Sequence, residues 1–202
     1  DILALEKGSE ILGDDYQTAM GAFSHDNPDI FYIDINKMFL NIETKTKIFK
    51  TTYNVYISPA VGETYLSKDF KTEKDVDLAI EQVESNVNNI LNTLNGNEYE
   101  KIRQIHDTLI ANIEYDESIQ AVGTYSIYGA LVKNECVCEG YAKAFKVLTN
   151  RIGIECEIMQ GTASNNRGET ETHAWNCIKL NDKWYQIDVT WDDPIILVNK
   201  KR

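Results

Sequence analysis

Apolar residues along the chain change their period several times, and each change marks an element. From Ile2 to Ala22 they follow a loose helical spacing interrupted by Gly8 and Gly13. Ile30 to Asp34, Met38 to Glu43 and Ile48 to Ile57 are then rich in β-branched and aromatic residues. This predicts three strands, with Thr44-Lys45-Thr46-Lys47 as a hairpin loop. Next, Val76, Ala79, Ile80, Val83, Val87, Ile90, Leu91 and Leu94 recur at helical spacing. A capping pair of Thr72 and Asp75 opens that helix, and Asn95-Gly96 ends it. Asn97 with Glu100 starts another, carrying Ile102, Ile105, Leu109 and Ile113 on one face.

Residues Tyr115 to Glu135 read as loop, apart from a short helix around Ile127 to Val132. Tyr141, Ala142, Phe145 and Leu148 then mark a helix that begins near Cys138 and stops at Gly153. Strands are predicted at Ile154 to Gln160, His173 to Leu180 and Trp184 to Trp191, with a polar loop from Thr162 to Glu171 before the second. Helices and strands are mixed, without internal repeat or low-complexity linker. Residues 1–72 form a helical and β-rich extension, and 73–202 the core, within one compact unit.

Three polar residues stand at the ends of these elements. Cys138 heads the apolar helix, His173 begins one strand of a hairpin, and Asp188 lies toward the end of the other. A thiol, an imidazole and a carboxylate are the parts of a nucleophilic acyl-transfer site. A free thiol ionises near pH 8.5, so it needs help at neutral pH, and a helix N-terminus supplies unpaired N–H groups and the positive end of the dipole. Gly140 is expected to keep the surface near the thiol open. If Asn181-Asp182 is a two-residue turn, His173 faces Thr190 and lies diagonal to Asp188, about 7–8 Å away along the backbone and on the same face. A three-residue turn would put them on opposite faces. Asn176 projects the other way and takes no catalytic role. Tyr128, a phenol just upstream, is the oxyanion candidate besides the Cys138 backbone. Trp175 and Trp191 either pack the core or wall a substrate channel. His25 and His106 read as structural.

Cys-Glu-Gly-Tyr-Ala-Lys-Ala-Phe from Cys138, His-Ala-Trp-Asn from His173 and Trp-Tyr-Gln-Ile-Asp-Val-Thr-Trp-Asp-Asp-Pro from Trp184 together resemble the bacterial branch of the transglutaminase-like superfamily. The likeness runs from about Glu98 to Pro194, and Asn27 to Tyr32 echoes a motif seen upstream in some members. It implies a papain-like α+β fold with a Cys138-His173-Asp188 triad at a helix N-terminus packed on an antiparallel sheet. Since similar domains continue with more sheet past Asp-Asp-Pro, it also implies a chain trimmed after Ile195 to Arg202, with an open sheet edge. It further implies a protein or peptide substrate, including cell-wall or cell-surface material, and placement outside the cell. The reaction expected is acyl transfer on an amide through a thioester. Hydrolysis is favoured because water needs no dedicated site and no acceptor site or calcium loop is legible. Cross-linking of glutamine to an amine, or a silent protein- or cell-wall-binding module, are the alternatives.

Composition narrows the partners. The 202 residues carry a formal charge of −12, which argues against nucleic acid because phosphate binding needs a basic surface. No apolar run is long enough to span a membrane. Four cysteines, at 136, 138, 156 and 177, are too few for a disulfide scaffold. As a zinc set with His173 they lack the usual Cys-x2-Cys spacing. Cys156 and Cys177 read as buried thiols, and Cys136 as a buried neighbour or a redox partner of Cys138. Asp192-Asp193-Pro194 reads as a turn, with a paired-carboxylate metal site as the alternative. No cofactor or metal is expected.

Overall fold

The computed structural model describes residues 2–164 and 170–193. Pro194, the stretch Ile195 to Arg202 and the centre of the expected 162–171 loop lie outside the described residues.

Helix α1 spans Ile2–Asp26. The strand expected at Ile30 to Asp34 is reduced to one antiparallel bridge, Ile33 to Leu66. Asp34 ends it by accepting a hydrogen bond from the Asn36 N–H, which starts a 3-10 turn at Ile35–Lys37. Phe31, just before, stacks on Tyr128 at 5.9 Å and meets Phe70 at the same distance. Strands β1 (Met38–Lys47) and β2 (Lys50–Pro59) form a separate two-stranded antiparallel ribbon. The expected loop at Thr44 to Lys47 is therefore strand, and the turn lies at Ile48-Phe49. The alternation Thr-Lys-Thr-Lys is polar, yet β-branched threonine suits extended backbone, and Thr46 meets Thr51 across the ladder at 3.4 Å.

Helices α2 (Glu73–Leu91) and α3 (Glu98–Asn112) both begin in reciprocal capping boxes, Thr72 with Asp75 and Asn97 with Glu100. They bury the apolar stripes read from the sequence, Val76, Ala79, Val83 and Val87 on one and Ile102, Ile105 and Leu109 on the other. Two short parallel strands follow, β3 (Glu114–Tyr115) and β4 (Glu135–Cys136). Between them a π-helical turn at Gly129–Lys133 replaces the ordinary short helix expected.

Helix α4 (Cys138–Arg151) is buried along nearly its whole length. Tyr141, Phe145 and Leu148 are fully enclosed, and each contributes about 1.5–3 kcal/mol by leaving water. It lies on a sheet ordered β5 (Cys156–Ser164), β6 (Thr170–Leu180), β7 (Lys183–Ile187), with β6 central. Ala174, Asn176 and Ile178 of β6 are buried, and the Asn176 side-chain amide donates to the Ala142 carbonyl at 3.0 Å, pinning helix to strand. Among the described residues no helix is long and apolar enough to cross a membrane.

Gly140 has a different task from the one expected of it. A Cβ there would stand 2.7 Å from the Cys136 sulfur and 3.1 Å from the Thr124 carbonyl oxygen. The glycine thus lets the first turn of α4 settle onto Cys136. Gly140→Ala should overpack this contact and lower stability by about 1–3 kcal/mol, read as a reduced urea midpoint at unchanged m-value.

Candidate active site

The hairpin turns on Asn181 and Asp182, both with left-handed φ, +52° and +59°. Two such residues make a two-residue turn whose twist suits antiparallel strands, and Asn and Asp tolerate it best. The ladder runs from Leu180 opposite Lys183 to Asn176 opposite Ile187, the register expected from a two-residue loop. Strand β7 stops there, short of the Trp191 expected from the sequence. Asp188 is the reason: its Oδ1 accepts from the Trp191 N–H at 3.1 Å and its carbonyl from the Asp192 N–H at 3.1 Å, folding the chain into a turn. Its Oδ2 lies 2.7 Å from His173 Nε2.

His173 is almost wholly enclosed, with 5% of its side chain exposed. Trp191 stacks on one side at 5.1 Å and Trp175 at 6.0 Å, so two indoles shelter the imidazole. Burial alone would lower its pKa. Hydrogen bonds to Asp188 and to the Cys138 thiol outweigh that and raise it to about 9. Cys138 is the first residue of α4, behind Val137, which has no side-chain group to cap the helix. In that first turn the Gly140 and Tyr141 N–H groups donate to the Val137 carbonyl, which leaves those of Cys138 and Glu139 as the donors at the helix start.

Cys136, directly beneath, is fully buried, and burial raises its pKa well above the ordinary value, with Cys138 and Asp116 adding to the effect. Cys156 is buried and raised to about 11, chiefly by burial. Cys177 is only partly buried, because it sits on the less covered face of β6. All four thiols are free.

Tyr128 is engaged elsewhere. Its ring packs on Phe31 and Phe70 and lies 5.0 Å beneath the Lys133 ammonium, an aromatic cluster that sequence spacing could not reveal. A different phenol stands near the thiol. Tyr115, read as the start of a loop, pairs through β3 with Cys136. Burial first, then the neighbouring Cys138 and Glu171, raise it to about 12. The sequence signal was its position just after α3; only the β3–β4 pairing carries it to the site.

Trp175 and Trp191 line a cleft of about 560 Å³ beside His173 and Asp188, whose far wall is Tyr99, Arg103 and His106 of α3. His106, read as structural, binds Asp192 at 3.2 Å across this cleft. Asp193 instead is buried, its Oδ2 3.0 Å from the Tyr141 hydroxyl. The two adjacent carboxylates thus serve different partners. Among the described residues no cluster of three or more His, Cys, Asp or Glu side chains is arranged to hold a metal.

Brief iodoacetamide exposure at pH 7 should alkylate Cys138 first, Cys177 slowly and the two enclosed thiols last. Peptide mass spectrometry showing equal labelling would remove the case for an activated thiol. The pH dependence of stability has a definite sign as well. A histidine raised from 6.5 to about 9 adds stability that is complete below 6.5 and is lost as pH rises through 9. The urea midpoint should therefore fall between those pH values, and Asp188→Asn should flatten the decline.

The sequence model of the transglutaminase-like superfamily matches residues 86–189, just over half of the chain and inclusive of Cys138, His173 and Asp188. Kyphoscoliosis peptidase of Mus musculus is 28% identical over 108 residues, which cover 48% of this chain and 16% of that protein. Its Homo sapiens counterpart is 28% identical over 111 residues with the same coverage. The chain thus spans about a sixth of the length of these curated relatives. A crystal structure described as a TGase superposes with a TM-score of 0.48 at 14% identity, covering 77% of this chain and 45% of the other. The chain belongs to the transglutaminase-like superfamily.

Proposed function

We propose that the protein hydrolyses protein or peptide amides through a thioester on Cys138. The observation that carries this reading is the enclosed His173, held by Asp188 at 2.7 Å, with the Cys138 thiol among the neighbours that raise its pKa. In this order the imidazole takes the thiol proton, and the resulting imidazolium is stabilised by the Asp188 carboxylate. The thiolate sulfur attacks the amide carbonyl carbon, and the carbonyl π electrons move to oxygen. The N–H groups at the start of α4 receive that oxyanion. Tyr115, kept protonated through the neutral range, is a second donor and takes the place considered for Tyr128. His173 then gives its proton to the departing amine as the C–N bond breaks. Water attacks the thioester, losing a proton to His173, and the acid and free thiol are released.

The sheltering indoles have a part in this scheme. Trp175 and Trp191 exclude water from the imidazole faces, which strengthens its bond to Asp188, and they wall the cleft beside His173 and Asp188 in which substrate would lie. A polypeptide at the cell surface or in the cell wall is the substrate class that fits this reading.

The test follows both fates of the thioester. A glutamine-containing protein is incubated with the enzyme and a fluorescent primary amine, and amine incorporation is measured beside ammonia release and peptide cleavage. Hydrolysis without incorporation is expected, lost in Cys138→Ala and reduced by about 10²–10⁴-fold in His173→Gln. Dominant incorporation would replace hydrolysis by cross-linking. A well-folded protein with an unreactive Cys138 and no product would make the domain a binding module.

A further inference from the structure

A second cavity, of about 440 Å³, has Glu139, the residue after Cys138, in its wall. The stretch Gly123 to Ser126 lines it as well, and the Thr124 carbonyl accepts from the Val137 N–H at 3.0 Å, so this loop rests on the start of α4. None of its lining residues is shared with the cleft beside His173. Cys138 therefore stands between two concave regions, coupled to His173 of one and followed by Glu139 of the other. Much of the second wall, from Ser24 to Asn36 and from Ser67 to Asp69, precedes residue 86, where the superfamily match begins. The N-terminal extension thus builds part of this cavity.

The inventory of hydrogen bonds says what the cavity takes. Its donors are engaged. The enclosed Lys143 ammonium gives its N–H groups to Glu139 Oε1 at 2.6 Å, Ser24 Oγ at 2.9 Å and the Tyr125 carbonyl at 3.2 Å. The Gly123 N–H donates to Asp69 Oδ2 at 3.0 Å, and the Ser126 N–H to the Gly123 carbonyl. The Thr124 and Ser126 hydroxyls donate to Asp116 and to the Gly123 carbonyl. Acceptors remain open. Among the described residues Asp69 Oδ1 and Glu139 Oε2 meet no donor, and the enclosed Ser67 hydroxyl has no partner. Lys68, the other ammonium of the wall, belongs to an exposed residue, and Asp34 is matched by Lys37 at 3.7 Å. A wall with open acceptors and engaged donors suits a cationic group that donates several hydrogen bonds. The net charge of −12 attracts such a group from solution.

The chemistry at Cys138 decides which half of a substrate lies here. His173 must reach the departing nitrogen to protonate it, so the amine half lies along the cleft beside His173. The acyl half then leaves the sulfur on the other side, toward Glu139 and the second cavity. On the thioester reading given above, we propose that this cavity receives a lysine or arginine side chain on the acyl side of the amide that Cys138 attacks. The Asp69 carboxylate selects the charge, and Glu139 Oε2 and the Ser67 hydroxyl accept further hydrogen bonds.

Nα-acetyl p-nitrophenyl esters of lysine, arginine, norleucine and glutamate test this, because they carry the acyl half alone and need no fit in the cleft. Wild-type kcat/KM for the lysine and arginine esters should exceed that for norleucine, a lysine chain without its ammonium, by at least about tenfold. Glutamate should be slower still. Asp69→Asn keeps an oxygen for the Gly123 N–H and should reduce the lysine preference about tenfold, chiefly through KM. Should that variant fold poorly, raising salt from about 50 to 500 mM should still shrink the wild-type preference. Similar rates for all four esters, or a preference for norleucine or glutamate, would overturn the basic side chain and leave the thioester reading standing. A lysine preference unchanged in Asp69→Asn would overturn the role of Asp69. Esters turned over no faster by the wild type than by Cys138→Ala would sink the thioester reading itself, and the basic side chain with it.

Discussion

The relation of His173 to Asp188 depends on the parity of one turn. Asn181 and Asp182 both accept left-handed backbone, so the β6–β7 loop closes with two residues and the ladder has an odd-sum register. Because side chains alternate faces, one inserted residue would move Asp188 to the other side of the hairpin and leave His173 without a partner. The imidazole would then keep the burial that lowers its pKa and lose the Asp188 bond, the largest of the interactions that raise it. A turn some distance from the cleft thereby controls the charge inside it. Asp188 adds its own constraint by ending β7, since only a residue freed from the ladder can give one oxygen to His173 and the other to the Trp191 N–H.

The first turn of α4 poses an electrostatic difficulty. Glu139 follows Cys138 and brings a carboxylate into the region whose positive dipole end would favour a thiolate. The protein answers with an ammonium and an imidazole. Lys143 lies 2.6 Å from Glu139 and His25 of α1 lies 3.8 Å from it. Burial would raise the Glu139 pKa, yet these neighbours hold it down to about 2. Lys143 is itself enclosed and is satisfied by Ser24 at 2.9 Å and the Tyr125 carbonyl at 3.2 Å. Removing one member of such an enclosed network costs more than the pair is worth, because the remaining charge is left buried. The end of α1 is thus tied to the nucleophile helix by charge as well as by packing, and the Glu139 carboxylate is neutralised where it would oppose ionisation of Cys138.

What could be read in the sequence was local. Capping boxes use residues three apart, and both α2 and α3 start where Thr72 and Asn97 placed them. The Asn-Asp turn is likewise a two-residue signal, and it carried the His173–Asp188 register with it. The failures have a common cause. Thr44 to Lys47 is polar, and polarity misled where β-branching and cross-strand pairing decided. Ile30 to Asp34 has strand composition, but Asp34 caps a turn against it. Tyr128 and Tyr115 are both phenols upstream of Cys138; which one neighbours the thiol depends on the β3–β4 pairing and on the cluster formed by Phe31 and Phe70. Gly140 was legible as a glycine near the nucleophile, yet its neighbour, the Cys136 sulfur, is known only once β4 and α4 are packed together.

The exposed apolar surface around His173 and that on the β1–β2 ribbon differ in the polar groups beside them. Around His173 the aromatic residues are mixed with titratable ones, Arg103, His106 and Asp192, in a concave cleft. Such a mixture suits a ligand that must be oriented, because each polar group fixes a direction and each ring excludes water. The ribbon has the reverse arrangement: the face made by Leu40, Ile42, Val55 and Ile57 is free of charge, and its charges are on the other side. It is therefore the positions of the charged residues, not the amount of apolar area, that mark the cleft beside His173 as the place for chemistry.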